Sequence, residues 1–318
     1  MQEAQEKKYL EIKRHFQDNY FRYIKPKLED FEQKRKKTFT TCIFVIVVFL
    51  ILAIALIICS FVWQYKEYKQ LYEIGTVLCL IIPMATYWIQ DKNFENTLKR
   101  SFMPTICSCF ENLNWDNKYH GNSDYYTDIQ LVEHHDSSSF DDYFSGTYND
   151  VPFEIIETKL SKRVTESSSR GVRTRYKTIF EGVILKINSV KNFTGHTVIK
   201  PDNLFKMENG GLRRTELEDV FFEKFYDVYT NDEVEARYII TTGFMERLNK
   251  IRDVYRASSV RCAFISNTIY VALDSKRDMF KLGSLHRQIT NPITFILIFG
   301  EILSIYKLID HFKFTQKV

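Results

Sequence analysis

The stretch TFTTCIFVIVVFLILAIALIICS, residues 38–60, decides the architecture of this chain. Its 23 residues include no charged side chain. At about 1.5 Å of rise per residue, a helix of this length measures about 34 Å, enough to cross a hydrocarbon core of about 30 Å. A second uncharged run, IGTVLCLIIPMATYWIQ, covers residues 74–90. It is long enough to span the bilayer when the helix includes Leu71 and Tyr72 and the Glu73 side chain extends toward the headgroups. The two runs predict a transmembrane helical hairpin.

Other origins of a long apolar run fit this sequence less well. A buried core helix of a soluble protein is apolar on all sides, but such helices seldom run for 23 residues without a charge. A secretory signal is not expected because a mostly polar segment of 37 residues precedes the run. The hairpin therefore covers residues 38–90, with spans at about 38–61 and 71–90. Trp63 and Trp88 stand near the span ends, where aromatic side chains favour the membrane interface.

Basic residues beside the spans predict their orientation. Seven flank the outer ends of the hairpin, and two lie in the link between the spans. The seven are Lys34, Arg35, Lys36, Lys37, Lys92, Lys99 and Arg100. Because Lys and Arg are in excess on the cytoplasmic side of a span, both termini are expected in the cytoplasm.

The net charge of +4 is concentrated at the start of the chain. Residues 1–37 contain 11 basic and 7 acidic residues, whereas residues 91–318 contain 31 of each. A basic segment beside a membrane attracts anionic lipid by about 1 kcal/mol per residue, so the bilayer is an expected partner. A neutral domain argues against nucleic acid as a partner, because phosphate binding needs a basic face.

Residues 1–37 are expected to form a basic helical segment. Aromatic and apolar residues recur in it at helical spacing: Tyr9, Ile12, Phe16, Tyr20 and Tyr23. Packing of this stripe on the chain itself is favoured over packing on another protein. Pro26 should bend the helix. After the hairpin, residues 91–139 are expected to form a helix that leaves the membrane and then a polar segment that is a long loop or an irregular edge.

Alternating and helical periodicities predict an α+β domain over residues 140–318, with helices beside an antiparallel sheet. Strands are expected at residues 151–160, 174–187, 197–199, 260–265 and 268–273, the last two joined by a turn at Ser266-Asn267. Helices are expected at residues 217–229 and 234–252.

A C-terminal helix should begin at Pro292, with Asn291 as its N-cap, and run to about Phe312. Its start is apolar enough to suggest a third span. That span would place Glu301 near the bilayer centre at a cost of roughly 3 kcal/mol. A helix docked on the soluble sheet is therefore preferred.

The sequence contains few candidates for a catalytic site. Glu133-His134-His135-Asp136, with Asp141 and Asp142 close by, has the residue types of a metal site. Adjacent histidines point in different directions on a helix or a strand, and neither HExxH nor paired CxxC occurs. A solvated acidic loop is favoured, so no catalytic residue, metal or cofactor is expected. His134, His135, Asp141 and Asp142 stay as the metal-ligand candidates.

From about Gly146 to Leu273 the chain resembles a bacterial membrane protein family of unknown function, domain-of-unknown-function family thirty-one thirty-seven. The resemblance is carried by three motifs: Phe180-Glu181-Gly182, Phe222-Glu223-Lys224-Phe225-Tyr226-Asp227-Val228-Tyr229 and Glu235-Ala236-Arg237-Tyr238. It implies two spans ahead of the domain and a bacterial inner membrane. It also implies a membrane partner, such as a LemA-type coiled-coil protein, and supplies no activity.

The matched residues have structural explanations. Phe222, Phe225 and Val228 are expected on the buried face of a helix, and Gly182 at a bulge or a close backbone contact. In the third motif, Glu235 and Arg237 are expected in surface or interface ion pairs. Ala236 and Tyr238 are the other two residues of this motif.

The expected function is a membrane-anchored interaction or scaffold domain that binds a membrane protein or a second copy of the chain. The alternative is a membrane-bound, metal-dependent hydrolase that uses the His134/His135 and Asp141/Asp142 region. An oligomeric channel is disfavoured because the spans offer mainly threonines, whose hydroxyls bond to their own helix.

Overall fold

The computed structural model describes residues 2–62, 66–168, 171–189, 193–201, 211–217 and 220–315. The chain divides into two compact units. Unit 1 comprises Met1–Lys13, Ile106–Phe280 and Ile296–Val318. Unit 2 comprises Arg14–Thr105 and Lys281–Phe295.

Long helices dominate the first third of the chain. They are α1 (Gln2–Asn19), a π-helical turn (Tyr20–Ile24), α2 (Lys25–Val62) and α3 (Lys66–Cys107). The π-helical turn ends two residues before Pro26, and the Lys25 N–H donates to the Tyr20 carbonyl. Because proline lacks an N–H and its ring crowds the preceding turn, the wider turn accommodates the break in the α-helical ladder.

Helices α2 and α3 are both long and apolar enough to cross a membrane. In the most apolar window of each helix, only 11% is buried. Phe44, Ile51 and Met84, for example, expose 67%, 63% and 75% of their surface. This exposure differs from that of a core helix, whose apolar side chains contact protein on all sides.

A segment from the end of the chain packs within unit 2 beside these helices. We call Lys281–Phe295 the return segment. The buried Arg35 guanidinium donates to the Leu285 carbonyl, and Glu32 accepts from the Ile289 N–H at 3.3 Å. The Leu285 N–H donates to Asp91 at 2.6 Å. Helices α2 and α3 therefore share one set of polar contacts with the return segment.

An antiparallel sheet of nine described strands forms the body of unit 1, in the order β1-β2-β3-β4-β9-β8-β5-β7-β6. The strands are β1 Leu113–Asp116, β2 Ser137–Tyr148, β3 Val151–Ser168, β4 Gly171–Asn188, β5 His196–Pro201, β6 Arg213–Thr215, β7 Tyr226–Thr230, β8 Ser259–Ile265 and β9 Thr268–Asp274. The antiparallel sheet and the hairpin at Ser266-Asn267 confirm the predicted α+β class.

One local prediction was wrong. The helix expected over residues 217–229 is replaced by a short helix, α5 (Val220–Glu223), and by strand β7. Burial alternates along β7, which is the period of a strand and not of a helix.

The polar segment after α3, for which a loop or an irregular edge is expected, contains the edge strand β1 and helix α4 (Asp124–Asp128).

The remaining helices are α6 (Glu233–Ile239), α7 (Thr242–Tyr255) and α8 (Ile293–Thr315). In unit 1, Tyr306 of α8 packs on Tyr148 and Phe153, with ring centroids 4.3 and 5.4 Å apart. The predicted docking of the C-terminal helix on the sheet domain is therefore confirmed. Asp310 accepts hydrogen bonds from Tyr9 and from Tyr148, so the start of α1 also packs on this chain, as its aromatic stripe predicts.

Candidate functional site

Four carboxylates come together in unit 1. Asp141 and Asp142 of β2, Glu157 of β3 and Asp278 each place one oxygen within 4.8 Å of the others. The register explains the grouping. Phe140 pairs with Thr158 and Tyr143 with Ile156, so Asp141 and Asp142 together oppose Glu157 in a β-bulge.

Two of the four carboxylates are fixed by named donors. The Trp115 indole N–H donates to Asp142 Oδ1 at 2.7 Å, and the Met279 N–H donates to Glu157 Oε1 at 2.5 Å. Asp142 and Glu157 are buried, whereas Asp141 and Asp278 are half-buried. An all-oxygen ligand set matches hard cations such as Ca²⁺ or Mg²⁺. The cluster defines which ion chemistry would fit and does not by itself identify a metal site.

The predicted histidine ligands lie elsewhere. His134 is exposed. His135 is buried, with its Nε2 atom 2.8 Å from the Ser123 hydroxyl and its Nδ1 atom 3.3 Å from the Thr127 hydroxyl. Asp141 and Asp142 instead meet Glu157 and Asp278. Among the described residues, Asp141 and Asp142 are thus grouped with two other carboxylates and not with His134 and His135.

No sequence motif singles out Glu157 or Asp278 as a ligand. Glu157 lies in the strand predicted at residues 151–160, and Asp278 follows the last predicted strand without a motif. The bulge that joins them to Asp141 and Asp142 depends on strand register, which one sequence does not encode locally.

Two strands extend beyond the sheet as a basic ribbon, defined here as Lys162–Ser168 of β3 with Gly171–Lys177 of β4. Seven residue pairs join the two strands there. At about 3.4 Å per residue, this part is about 24 Å long. Strand β2 stops pairing with β3 at Ser161, and β9 begins pairing with β4 at Gly182. In the described part of the chain, no third strand supports the ribbon.

The ribbon is exposed and carries mostly positive charge. Its basic residues are Lys162, Arg163, Arg173, Arg175 and Lys177. Glu166 is its only described acidic residue and pairs with Arg175. Val172 and Tyr176 lie among these cations and expose 68% and 63% of their surface. Only residues 174–177 of the ribbon fall in a predicted strand, and the structure shows an ordered two-stranded element over the whole of it.

Cations are also buried inside the sheet. Lys200 of β5 and Arg261 of β8 are 4% and 3% exposed. The Lys200 Nζ atom and the Arg261 Nε atom have no hydrogen-bond partner. Burial, followed by repulsion from Arg261, lowers the pKa of Lys200 to about 8. The Lys200 ammonium lies 5.0 Å from the centroid of the Tyr229 ring, which partly offsets its desolvation.

The predicted membrane-flanking residues divide into two groups. Lys34, Lys36 and Lys37 are exposed, and Trp88 exposes 71% of its surface. Arg35 is buried in unit 2 and pairs with Glu32 at 2.7 Å. The hydrogen bonds from Arg35 lower the pKa of Glu32. Trp63 lies outside the described residues.

Lys99 joins Arg35 among the flanking cations that are buried. It pairs with the buried Glu95 at 3.2 Å, and Lys281 of the return segment lies 3.5 Å from the same carboxylate. Lys92 is 3.6 Å from Glu95. Charge counting along the sequence treats these residues as equal, but the structure neutralises two of them with buried carboxylates.

Residues of the first two family motifs take part in backbone and ring contacts within the fold. A Cβ atom at Gly182 would lie 2.0 Å from the Leu273 carbonyl oxygen, which confirms the predicted close backbone contact. Phe222 is buried and stacks on Tyr226 at 4.8 Å. The predicted helix face is wrong: Val228 lies in β7, and Phe225 is 55% exposed.

The third motif, Glu235-Ala236-Arg237-Tyr238, lies in helix α6. Ala236 is buried, and Arg237 and Tyr238 are exposed. Glu235 accepts hydrogen bonds from the backbone N–H groups of Thr194 and Gly195, at 3.0 and 2.7 Å. These bonds hold the turn before β5 and account for the glutamate without a catalytic role.

Three comparisons with known proteins give one match to a family model and one distant structural match. None of the curated proteins compared matches it. Among solved structures, the crystal structure of the mycobacterial trehalose monomycolate transport factor A, TtfA, is similar at 7% identity and a TM-score of 0.34. This match covers 63% of the present chain and 88% of that chain, and it is too distant to support an argument. Residues 178–314 match the family model described as protein of unknown function (DUF3137), which confirms that this part of the chain resembles a family of unknown function.

Proposed function

We propose that this chain is a membrane-anchored interaction protein that uses the basic ribbon to bind an acidic protein partner. In this proposal, α2 and α3 cross the bacterial inner membrane, both termini lie in the cytoplasm, and the sheet domain acts there as a scaffold. The observation that carries the proposal is the ribbon, an ordered two-stranded element with exposed faces and five cations.

The ribbon is difficult to explain by stability alone. An isolated two-stranded ribbon is marginally stable in water, and its exposed edges can recruit further strands. Lys and Arg residues protect such edges against aggregation, and this role accounts for part of the charge. It does not account for Val172 and Tyr176, which place apolar surface between the cations. Aromatic and arginine side chains are enriched where protein interfaces gain most of their energy.

The anchor is supported by the exposed apolar surfaces of α2 and α3. In water these surfaces would favour aggregation, whereas in a bilayer they contact lipid chains. Lys34, Lys36 and Lys37 stay exposed at the start of the first span and are suited to anionic headgroups.

The proposed partner is a membrane protein with an acidic surface. A LemA-type coiled-coil protein is the candidate that the family resemblance supplies, and a second copy of this chain is the other. Charge complementarity would speed association and select the partner, while Val172 and Tyr176 would supply desolvated contact area.

Site-specific photo-crosslinking in cells tests the ribbon. A photoreactive residue replaces Val172 in one strain and Val234, which is 82% exposed and outside the ribbon, in a matched control. A protein adduct of constant mass is expected at position 172 only, and Arg173→Glu/Arg175→Glu should reduce it at least tenfold. Twice the mass of the chain identifies a second copy as the partner. Equal adducts at both positions, or adducts to lipid alone, overturn the proposal.

Membrane anchoring needs a separate measurement. After cell breakage and a carbonate wash, the full chain is expected in the membrane pellet, and a C-terminal tag should be protected from proteases added outside the cell. Recovery in the supernatant, or cleavage of the tag from outside, contradicts the anchor without bearing on the ribbon.

A further inference from the structure

A cavity of about 320 Å³ opens between α7 and α8 in unit 1. Four basic residues line it: Lys13, Arg247, Lys250 and Lys307. None of its described lining residues is acidic, and within the described chain none of the four cations forms an ion pair. The volume lies within the range of small-ligand sites in proteins.

The inner wall of the cavity is apolar. Ile251 of α7 and Leu303 and Leu308 of α8 are 3%, 4% and 2% exposed. Charged groups at the mouth and aliphatic groups at the base match a ligand with an acidic head and a hydrocarbon part.

Gly300 keeps this space open. It lies within α8, where glycine is less favourable than alanine. A Cβ atom built at Gly300 would meet no atom within 4 Å, and Gly300 lines the cavity. Neither crowding nor a positive φ angle requires glycine at this position.

The four cations also affect one another. The pKa of Lys307 is lowered, first by burial and then by repulsion from Lys13, Lys250 and Arg247. Glu6 opposes this shift in part, and the ammonium of Lys307 lies 5.2 Å from the centroid of the Tyr9 ring. An anion bound among the four would relieve this repulsion.

We infer that the cavity binds an acidic amphiphile, with a phosphate or carboxylate group among the four cations and a hydrocarbon chain on the apolar wall. This site is separate from the ribbon, and it uses different elements of the fold.

Isothermal titration calorimetry on the full chain tests the site, with the protein in phosphatidylcholine nanodiscs and empty nanodiscs as the blank. Octyl phosphate is the probe. Inorganic phosphate, which lacks the alkyl chain, and octyl glucoside, which lacks the charge, are the controls. Both are expected to bind at least tenfold more weakly than octyl phosphate. Inorganic phosphate binding as tightly as octyl phosphate overturns the inference.

Variants of the chain test separately whether binding needs the cations of the cavity and whether it needs the open volume beside Gly300. Lys250→Gln/Lys307→Gln should weaken octyl phosphate at least tenfold. Gly300→Leu, which keeps every cation but fills the cavity, should do the same, and Gly300→Ala is the milder substitution if the leucine variant fails to fold. Lys7→Gln/Lys162→Gln, at two exposed lysines outside the cavity, should leave binding unchanged. Equal affinity in all these variants overturns the inference.

The source of the ligand is distinguished by repeating the titration in nanodiscs that contain phosphatidylglycerol. Competition by the membrane lipid would raise the apparent Kd of octyl phosphate in wild type and identify a lipid headgroup as the occupant. An unchanged Kd would identify a soluble acidic amphiphile.

Discussion

Basic residues in the inner sheet and on the ribbon experience opposite environments. Lys200 and Arg261 are buried among strands, and the Lys200 Nζ and Arg261 Nε atoms lack hydrogen-bond partners. Arg173 and Lys177, on the same sheet, are exposed. A buried cation that lacks hydrogen bonds loses hydration that its surroundings replace only in part, whereas an exposed cation keeps it.

The same contrast holds for the backbone. The inner parts of β3 and β4 pair within a sheet whose side chains are buried, and the outer parts pair only with each other. A register shift at Leu160/Ser161, where Ile179 is left without a partner in β3, separates the two parts, and the source of stability changes across it. The inner sheet is stabilised by apolar burial, and the ribbon is available for contacts at little expense to the fold.

The largest difference is expected for apolar truncation. Ile184→Ala in the inner sheet should lower the free energy of unfolding by about 3 kcal/mol, because it leaves a cavity at a fully buried position. The matched Val172→Ala in the ribbon should change it by less than about 0.5 kcal/mol. Amide hydrogen exchange along β4 in the detergent-solubilised chain measures both. Similar losses in the two variants would show that the ribbon shares the core.

Lys200→Met should raise the free energy of unfolding by about 2 kcal/mol at pH 7, because it removes a buried charge whose pKa is lowered. This value is smaller than the pKa shift alone implies, since solvent screens part of the charge. A lowered pKa in the folded state means that the unfolded state binds more protons between about pH 8 and 10.5. Wild type should therefore gain stability as pH rises through this range. The variant should lose that dependence, and Lys177→Met in the ribbon should retain it. Thermal unfolding at several pH values provides the measurement.

The smallest effect is expected for the ion pair between Arg175 and Glu166 on the ribbon. Both side chains are more than half exposed, so Arg175→Ala should change the free energy of unfolding by less than about 0.5 kcal/mol. Hydrogen exchange at the paired positions Val164 and Arg175 should report any local opening. A loss above about 1 kcal/mol would indicate that the charges hold the ribbon together.

Much of the fold follows from local pattern. The uncharged runs predict α2 and α3, and the β-prone apolar runs around Ile184 and Val271 predict central strands, whose side chains are buried on both faces of the sheet. The helix expected at 217–229 failed because apolar residues there fit both periods. Pairing with β5 and β6 selects the strand, and such long-range contacts leave no local signature.

The candidate sites were less accessible to sequence reasoning. Asp141 and Asp142 were noticed as neighbours, but the opposing Glu157 depends on a bulge. The pairing that forms the ribbon joins residues outside the predicted strand at 151–160 and has no local signature. The cavity near Lys307 draws its cations from α1, α7 and α8, which are far apart in sequence, so no spacing rule could group them.

The return segment has a consequence for biosynthesis. Arg35 and its acceptor Leu285 are 250 residues apart, and ribosomes add about 5–20 residues per second. The helices α2 and α3 are thus made roughly 10–50 s before the segment that completes their polar contacts. During this interval Glu32, Asp91 and Arg35 lack their backbone partners from the return segment. A nascent chain that stops early would keep these groups uncovered, giving quality-control proteases a chemical mark of incomplete translation.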